Sequence, residues 1–382
     1  MLCLKVVTAI DSFKGSLSAE GAALAIERGI LSVFPEAEVT NFPLADGGEG
    51  LVDSILAVRC GEKKTVKVKD PLGREIEGFY GLLSDGTAVI EMAAASGLPL
   101  LSQEERNPLK TTSYGTGQLI AAALAAGSRD IILGLGGSAT NDGGMGMAEA
   151  LGIRFLNRVG CVLAGCGENL EQVAAIDDSG RNRQLDGARI RLACDVTNPL
   201  CGPTGASHIF GGQKGADSAM RERLDAGMKH YARVLLNKVG KDFSNLSGCG
   251  AAGGLMVPLL AFWQAEIFSG IELVLDTLNI DDALQDADLV ITGEGRLDGQ
   301  TLFGKVPIGV AKRSKRFHKP VIALAGSIGE GYRDVYAGGI DAVFSVQNGP
   351  MSLEESMENT EGLLADCAHR IMRFYKMIRE NS

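Results

Sequence analysis

The two ends of this chain carry the same pattern of short apolar runs, and that pattern restricts the fold more than any other feature. Leu4–Ile10 (LKVVTAI) is rich in β-branched residues and does not alternate, as is typical of a strand buried on both faces of a parallel sheet. A loop and a helix over 18–33 complete a doubly wound unit. We expect parallel strands at 4–10, 39–42, 289–292, 321–325 and 342–346.

The middle of the chain follows a different pattern. Lys64–Val68 (KTVKV) alternates, and the turn sequences Pro71–Arg74 and Ser84–Thr87 separate the next runs, which indicates an antiparallel meander. Farther on we expect helices at 113–126, 217–239 and 251–263 and strands at 130–135 and 190–194. A C-terminal helix with a capping box at Ser352 and Glu355 is expected. Its predicted buried stripe is Leu364, Cys367, Ile371, Phe374 and Ile378.

These patterns predict two domains, which a length of 382 residues also favours. Residues 1–62 and 283–382 would form a discontinuous domain, and residues 63–282 would form a second domain inserted into it. The cleft between two such domains is the usual place for a ligand, so we expect the active site there.

Composition disfavours several classes of function. The net charge is −10, only 5% of residues are aromatic and no basic stripe is present, so nucleic-acid binding is not expected. The eight cysteines include no C-x-x-C pair and histidine is scarce, which disfavours a zinc site. No apolar stretch approaches the roughly 20 residues that span a membrane, and we expect reduced thiols in the cytoplasm. Glycine is abundant, with 51 residues, and its clusters follow the apolar runs.

The most informative cluster is the glycine-rich loop Gly134–Gly146 (GLGGSATNDGGMG), between a predicted strand and a predicted helix. Backbone amides at such a turn bind phosphate, because bare N–H groups and the helix dipole both favour anions. The predicted cofactor-binding residues of this loop are Gly136, Gly137, Ser138, Thr140 and Asn141. Asp142 could add a metal ligand or a base. The alternative is a turn that only packs a helix on a sheet.

Two further matches to nucleotide-binding motifs are weaker. Gly134, Gly136 and Ala139 spell a dinucleotide fingerprint, but residues 155–159 (FLNRV) lack the acid that would bind ribose, so a dehydrogenase is kept as an alternative. The sequence GQTLFGKV spells a P-loop but has valine where Ser or Thr must hold Mg²⁺, so a P-loop is rejected. Lys305 in that sequence is either a contact for phosphate or substrate or a solvated lysine.

Other polar residues follow predicted strands, and ligands bind at the carboxyl ends of parallel strands. The sequence DSFKG follows the first strand and offers Ser12 and Lys14 for substrate or phosphate, unless it is only a cluster of helix caps. The sequence LADGGEG follows the second strand. Its Asp46 and Glu49 would hold Mg²⁺ or would be solvated acids in a tight turn.

Two later loops complete the candidate set. Asp195 ends a predicted strand and could be a base or a metal ligand, while Lys214 precedes a helix, where it could meet a phosphate. In the sequence TGEGRLD, Arg296 is the natural bidentate partner of a substrate carboxylate, with Glu294 and Asp298 beside it as substrate-binding candidates. The alternative for Arg296 is an ion pair with its neighbours.

Taken in order, these segments are similar to the bacterial glycerate kinases of the glyoxylate and galactarate pathways. The matching segments are DSFKGSLSAEGAALAIERG, PLADGGEG, TSYGTGQLI, GLGGSATNDGGMGMAEALG, CDVTNPLCGPTGA, QKGA, GAAGGL and ITGEGRLDGQTLFGKVPIGVAK. They run from Asp11 to about Lys312 and cover nearly the whole chain. Two positions depart from the family pattern: Gly212 stands where Pro is expected, and Leu51 stands where Thr is common.

The resemblance implies an α/β fold, with a Rossmann-like (flavodoxin-like) parallel-sheet domain and a second α/β domain of mixed sheet inserted into it. It also implies transfer of the γ-phosphoryl group of ATP to D-glycerate with Mg²⁺, usually giving 2-phosphoglycerate. A dehydrogenase and a non-catalytic nucleotide-binding regulator are the alternatives. No membrane or nucleic-acid partner is expected, and both a monomer and a homodimer remain open.

The resulting hypothesis assigns roles to the candidate residues. The glycine-rich loop would cradle the triphosphate, and Lys14 and Arg296 would hold glycerate and the migrating phosphoryl group. The carboxylates expected to hold Mg²⁺ are Asp46, Glu49 and Asp195. Asp195 is also the first candidate for the base, with Asp142 or Asp298 second.

Overall fold

The computed structural model describes residues 3–45, 47–302 and 304–380. The strands are β1 (Lys5–Ile10), β2 (Glu38–Pro43), β3 (Gly61–Lys69), β4 (Glu75–Leu83), β5 (Thr87–Glu91), β6 (Asp130–Gly134), β7 (Arg154–Leu156), β8 (Val162–Leu163), β9 (Ala175–Asp177), β10 (Arg189–Ala193), β11 (Glu266–Phe268), β12 (Leu289–Leu297), β13 (Val321–Ile328) and β14 (Ala342–Ser345). The α-helices are α1 (Ala19–Leu31), α2 (Leu51–Val58), α3 (Ala93–Ser96), α4 (Tyr114–Ala125), α5 (Met145–Ala150), α6 (Ala206–Phe210), α7 (Ser218–Val239), α8 (Val257–Phe262), α9 (Gly270–Thr277), α10 (Ile280–Asp286), α11 (Val306–Lys315), α12 (Leu353–Glu358) and α13 (Thr360–Glu380).

The chain divides into two compact units. Unit 1 lies within residues 1–46, 53–59 and 271–382, and unit 2 lies within residues 47–52 and 60–270. The domain boundaries and the cleft expected from the sequence stay predictions.

Unit 1 is built on a five-stranded parallel sheet with the order β14-β13-β12-β1-β2. Counted along the chain, these strands lie in the order 2-1-3-4-5, which is one of the two common doubly wound orders. The five strands expected from the sequence are confirmed, but β12 extends to Leu297, so Glu294 and Arg296 lie in this strand and not in a loop after it. Residues 6–10 of β1 are all buried, which explains why its sequence is apolar without alternation.

Helices α1 and α13 cover this sheet and form its main core. Ser18 caps α1 by accepting a hydrogen bond from the amide of Gly21, 3.1 Å away. Gly29 of α1 lies directly against Ala368 of α13, so that a side chain at Gly29 would clash and the two helices can approach closely only because it is glycine. Ile26 and Leu364 are buried between the helices and the sheet.

Unit 2 contains a six-stranded mixed sheet with the order β11-β10-β6-β5-β4-β3. Strands β3, β4 and β5 are antiparallel, as the meander pattern predicts, whereas β5, β6, β10 and β11 are parallel. The α/β class with one parallel and one mixed sheet is therefore confirmed. A second, three-stranded antiparallel sheet, β8-β7-β9, has strands of two or three residues, which are too short to show a period in the sequence.

Two expectations about helices were wrong. The segment 251–263 is not one helix: a 3-10 turn over Ala251–Gly254 is followed by α8, because Ala252 and the two glycines after it take positive φ values. The backbone of Gly253 packs on the carbonyl of Thr140 so closely that a side chain there would clash. This close approach explains why the helix breaks.

The C-terminal segment also differs from its prediction. The capping box of Ser352 and Glu355 is present, but it begins the short helix α12, and α13 is a separate helix. Leu364, Cys367 and Ile371 are buried, whereas Phe374 and Ile378 are 59% and 45% exposed. The helix on which α13 packs ends at Leu31, so the last turns of α13 extend beyond their packing partner. Within the part of the chain that the structure describes, no helix is long and apolar enough to cross a membrane.

Candidate active site

Unit 1 has a cavity of about 380 Å³ at the carboxyl ends of β1, β12 and β13. This is the place where ligands bind in doubly wound sheets, next to the point where the strand order reverses. The cavity is lined by five of the six predicted substrate-binding residues: Ser12, Lys14, Glu294, Arg296 and Lys305. Lys14 is exposed and takes no part in capping α1, which Ser18 does alone, so the helix-cap interpretation does not account for Lys14.

Glu294 is a buried acid of this cavity, with 6% of its surface exposed. One carboxylate oxygen accepts a hydrogen bond of 2.6 Å from Thr301 Oγ1, and the other lies 3.2 Å from Lys305 Nζ. Burial raises the pKa of Glu294, while the hydrogen bond and the charge of Lys305 act in the opposite direction. Lys305 is thus partnered by Glu294, and its side chain remains about one third exposed toward a ligand.

Arg296 forms an ion pair with its neighbour Asp298, which was the alternative that the sequence allowed for this residue. Its Nε donates to Asp298 Oδ2 at 3.0 Å, while 68% of the Arg296 side chain stays exposed. Asp298 also accepts a bond from the amide of Gln300, which fixes the turn that follows β12. Asp298 lies not in the first cavity but in an adjoining one, which shares Arg296 and Lys305 with it. The pair therefore fixes one edge of the guanidinium, and most of the side chain remains open to solvent.

In unit 2, the glycine-rich loop has an exposed part and a buried part. It begins at the end of β6, where Gly136 is half-buried and Gly137 is exposed with φ of 74°. From Ser138 onward the loop is buried, and Ser138 pairs with Gly97 in an isolated β-bridge. Helix α5 begins only at Met145. The loop therefore lies between a strand and a helix, as expected, but the helix begins too far from the strand for the tight strand–turn–helix context of a dinucleotide fingerprint.

Asp142 is fully buried in this loop, and its carboxylate is occupied. It accepts bonds from the amide and hydroxyl of Ser113 at 2.8 and 2.7 Å and from the amides of Gly144 and Gly146 at 3.1 and 3.2 Å. Burial raises the pKa of Asp142, and these four hydrogen bonds partly oppose that effect. The carboxylate thus caps the start of α5 and ties it to the turn before α4. A role as base or metal ligand stays a prediction.

Lys214, Thr140 and Asn141 are also buried. Lys214 Nζ donates a bond of 2.7 Å to the carbonyl oxygen of Thr140, and Asn141 Nδ2 donates to Ser207 Oγ at 2.9 Å. Burial lowers the pKa of Lys214 to about 7, although the charge of Asp142 acts in the opposite direction. Among the described residues, Thr140 Oγ1 and Asn141 Oδ1 have no hydrogen-bond partner. A direct contact of these three residues with a nucleotide stays a prediction.

Three predicted segments meet at the carboxyl edge of the unit 2 sheet. The turn that contains Glu49 packs on the glycine-rich loop, since a side chain on Gly136 would come within 2.5 Å of the Cα of Gly48. Gly47 lies against Ala193, the last residue of β10, and against Gly270. Asp195 accepts hydrogen bonds of 2.8 Å from Ser269 Oγ and from the amide of Gly270. Glu49 is exposed, and Asp46 lies outside the described residues.

Several partners in these sites were missed from the sequence. Thr301 holds Glu294, Ser113 holds Asp142 and Ser269 holds Asp195. Ser113 and Ser269 are far along the chain from the acids they bind, so no local pattern could identify them. Asp11 lines the unit 1 cavity and is 8% exposed. Asp11 belongs to the DSFKG segment, but no sequence pattern distinguishes it there as a cavity residue.

Known proteins resemble this chain over nearly its whole length. The model of the glycerate kinase family matches residues 6–376. Glycerate kinase of Bacillus subtilis (strain 168) is 48% identical over 377 residues, which is 98% of this chain and 99% of that protein. Glycerate 2-kinase of Escherichia coli (strain K12) is 49% identical over 354 residues, which is 92% of this chain and 93% of that protein.

A solved structure is similar as well. The crystal structure of a candidate glycerate kinase 2 from Salmonella typhimurium LT2 has a TM-score of 0.89 and 48% sequence identity, and it covers 99% of this chain and 100% of that one. The ordered segments that carry the sequence resemblance lie within the matched range, and the loops they form carry the buried acids and glycine contacts described above. This chain therefore belongs to the glycerate kinase family.

Proposed function

We propose that this protein is an ATP-dependent glycerate kinase that phosphorylates D-glycerate and releases 2-phospho-D-glycerate and ADP. The observation that carries the proposal is the match of nearly the whole chain, at about half identity, to proteins named glycerate kinase. The name of the Escherichia coli relative, glycerate 2-kinase, supports the 2-hydroxyl as the acceptor.

The unit 1 cavity suits a small carboxylate. Its cationic side chains are Lys14, Arg296 and Lys305, and two of these have carboxylate partners that hold them in place. Arg296 would bind the glycerate carboxylate through its exposed nitrogens, since a guanidinium matches a carboxylate in a bidentate way. Ser12 and Glu294 would bind the hydroxyl groups, and Lys14 would meet the migrating phosphoryl group.

The exposed start of the glycine-rich loop suits the triphosphate of ATP. Gly136 and Gly137 lack a side chain, so their amides can approach phosphate oxygens closely, and Ser138 could add a hydroxyl. The amides at the start of α5 do not serve this purpose, because Asp142 occupies those of Gly144 and Gly146. Thr140, Asn141 and Lys214 would act on the nucleotide from beneath this surface.

Glu49 and Asp195 would hold Mg²⁺. Mg²⁺ usually takes one or two carboxylates and completes its shell with water and substrate phosphates, so two acids at one sheet edge fit it. Glu49 is exposed, and its turn packs on the glycine-rich loop. When bound, the ion would neutralise the charge of the phosphate oxygens. Asp46 as a third ligand stays a prediction.

Asp195 is the best-placed candidate for the base among the predicted acids. One of its oxygens is oriented by Ser269 and Gly270, whereas Asp142 is fully occupied and Asp298 is paired with Arg296. Such orientation is what a positioned base requires, because the geometry of proton transfer is decisive. The cytoplasmic location, the oligomeric state and the finer Rossmann-like assignment of the fold stay predictions.

Two measurements test the proposed function. Release of ADP is followed in a coupled assay with D-glycerate, ATP and Mg²⁺, and phosphorus NMR then identifies the phosphorylated position of the product. Activity with D-glycerate and a 2-phosphate resonance are expected. Tight NAD binding without phosphoryl transfer would instead show a dehydrogenase, and ATP binding without transfer to any hydroxy acid would show a nucleotide-binding regulator.

A further inference from the structure

Lys214 is buried to an extent that is rare for lysine, with 1% of its surface exposed. It ends the 3-10 turn Gly212–Lys214, and Gly215 follows in a left-handed conformation with φ of 93°. Its stem crosses the interior of unit 2, and its Nζ reaches the carbonyl oxygen of Thr140 at 2.7 Å. Burying an amine costs free energy unless the amine is hydrogen-bonded. The hydrogen bond to the Thr140 carbonyl is therefore the role of the buried Lys214 side chain.

The hydrogen bond from Lys214 to Thr140 is kept whether the amine is protonated or neutral, whatever the charges around it. Asp142 is the acid whose charge acts on it, and burial outweighs that charge and lowers the pKa of Lys214 to about 7. Other charged residues on the elements packed around this turn include Arg106, His208, Arg221 and Asp225. An ammonium and a neutral amine both carry N–H groups, so the carbonyl of Thr140 keeps its donor on both sides of this pKa.

The contact lies among the anchors of the glycine-rich loop. The amide of Ala139 donates to Ser96 at 2.9 Å, and its carbonyl accepts from Thr111 Oγ1 at 3.0 Å. The amide of Gly143 donates to the carbonyl of Gly253 at 2.9 Å. The exposed residues of the loop come just before these anchors. The path of the exposed backbone therefore depends on how firmly the buried part is held.

We propose that Lys214 is a positioning residue: its amine holds the Thr140 carbonyl and so fixes the amides of Gly136 and Gly137, without touching the nucleotide itself. This inference rests on the proposed kinase function, because those amides are assigned there to the triphosphate. It differs from the expectation that Lys214 meets a phosphate as a cation. The two roles depend differently on charge, which allows an experiment to separate them.

The first measurement requires no activity. Hydrogen exchange of the unliganded protein is compared for the wild type, for Lys214→Met, which keeps the length of the side chain but removes the donor, and for the control Lys241→Met. Lys241 is exposed and lies over the ring of Phe243. Peptides that cover residues 134–142 should exchange about tenfold faster or more in Lys214→Met, while peptides from α1 in unit 1 and all peptides of the control should keep the wild-type rates.

The second measurement is the kinetic consequence. For Lys214→Met, kcat/KM for ATP should fall by about tenfold to a hundredfold, the cost of a misplaced contact, whereas KM for glycerate should change less than about twofold. The ratio of wild-type to variant kcat/KM should stay constant from about pH 6 to about pH 9, since both forms of the amine donate to Thr140. If Lys214→Met does not fold, Lys214→Gln, which keeps an N–H donor, takes its place and should retain more activity than Lys214→Ala.

Three results would overturn the proposal: unchanged exchange in residues 134–142, unchanged kinetics for ATP, or a ratio that declines as the pH rises through about 7. The last would show that the positive charge of Lys214 acts on phosphate directly. If the wild type has no kinase activity but residues 134–142 exchange faster in Lys214→Met, the positioning role would be upheld and the proposed function rejected.

Discussion

A single methyl group on Gly136 tests whether the turn that carries Glu49 and the glycine-rich loop act together. Gly136 has no positive φ, so alanine is compatible with its backbone, and the only consequence of the substitution is steric. The added Cβ would lie 2.5 Å from the Cα of Gly48. Nonbonded carbon atoms normally stay about 3.5–4.0 Å apart, so the two backbones must separate by about 1 Å or more.

The expected effect on stability is small and the expected effect on catalysis is large. Overpacking of this kind costs about 1–3 kcal/mol in a closed core, and we expect the lower end of that range because Gly136 is half-buried and the loop can move outward. A displacement of about 1 Å in a phosphate-binding backbone can reduce turnover by about a hundredfold. Gly136→Ala should therefore lose most of its kcat/KM for ATP while it remains folded.

The assay is the coupled release of ADP with D-glycerate, together with thermal unfolding of both proteins. Gly212→Ala is the matched control: Gly212 also lies in unit 2 with a permitted φ, and nothing would come within 4 Å of its added Cβ. The control should keep wild-type stability and kinetics within about twofold. If Gly136→Ala behaves as this control does, the close packing of Gly48 on Gly136 has no part in catalysis and the reasoning is refuted.

Further substitutions test other contacts. Arg313→Met should lower the free energy of unfolding in urea by about 2 kcal/mol, because the buried guanidinium binds three acids that are themselves partly exposed, and Arg316→Met, with one long contact from an exposed side chain, should change it by less than about 0.5 kcal/mol. Gly362→Ala, on the exposed face of α13 with open space around it, should raise unfolding stability by about 0.5–1 kcal/mol. Asp195→Asn should reduce kcat by about a hundredfold or more, and an unchanged kcat would remove its role as base. The pKa of Lys214 is about 7 in the folded protein, against an ordinary value of 10.5. Between these two pH values the unfolded chain binds more protons, so the free energy of unfolding should rise with pH. Urea titrations at about pH 7 and about pH 9 should show this rise in the wild type and not in Lys214→Met.

The sequence predicts the elements well where they have a long or distinctive period. Strand β1 is a continuous apolar run because both of its faces are buried, whereas β3 alternates because it is buried less completely. Both patterns can be recognised within a few residues. The pattern is less informative at the ends of elements. Phe374 and Ile378 have the spacing of a buried stripe, yet they are exposed, because the sequence of α13 does not reveal where α1 ends.

The candidate site shows the same limit at the level of side chains. The sequence groups Glu294, Arg296 and Lys305 correctly around one cavity, since the ends of parallel strands meet at one edge. It does not reveal that Asp142 is buried or that Lys214 points inward. Those positions depend on partners such as Ser113 and Thr140, which the fold brings near from distant parts of the chain.

Asp142 gives the glycine-rich loop its particular electrostatics. Glycines before a helix suggest a phosphate on the helix N-terminus, but here the carboxylate of Asp142 already accepts the amides of Gly144 and Gly146. A phosphate at that position would lose those donors and would meet a buried negative charge. In the proposed function, anion binding at this loop would therefore fall to the amides of Gly136 and Gly137, which lie well before the start of α5. Neutral amides alone do not balance the charge of a triphosphate in a protein with a net charge of −10, so in the proposed function Mg²⁺ and lysine or arginine side chains would supply the rest.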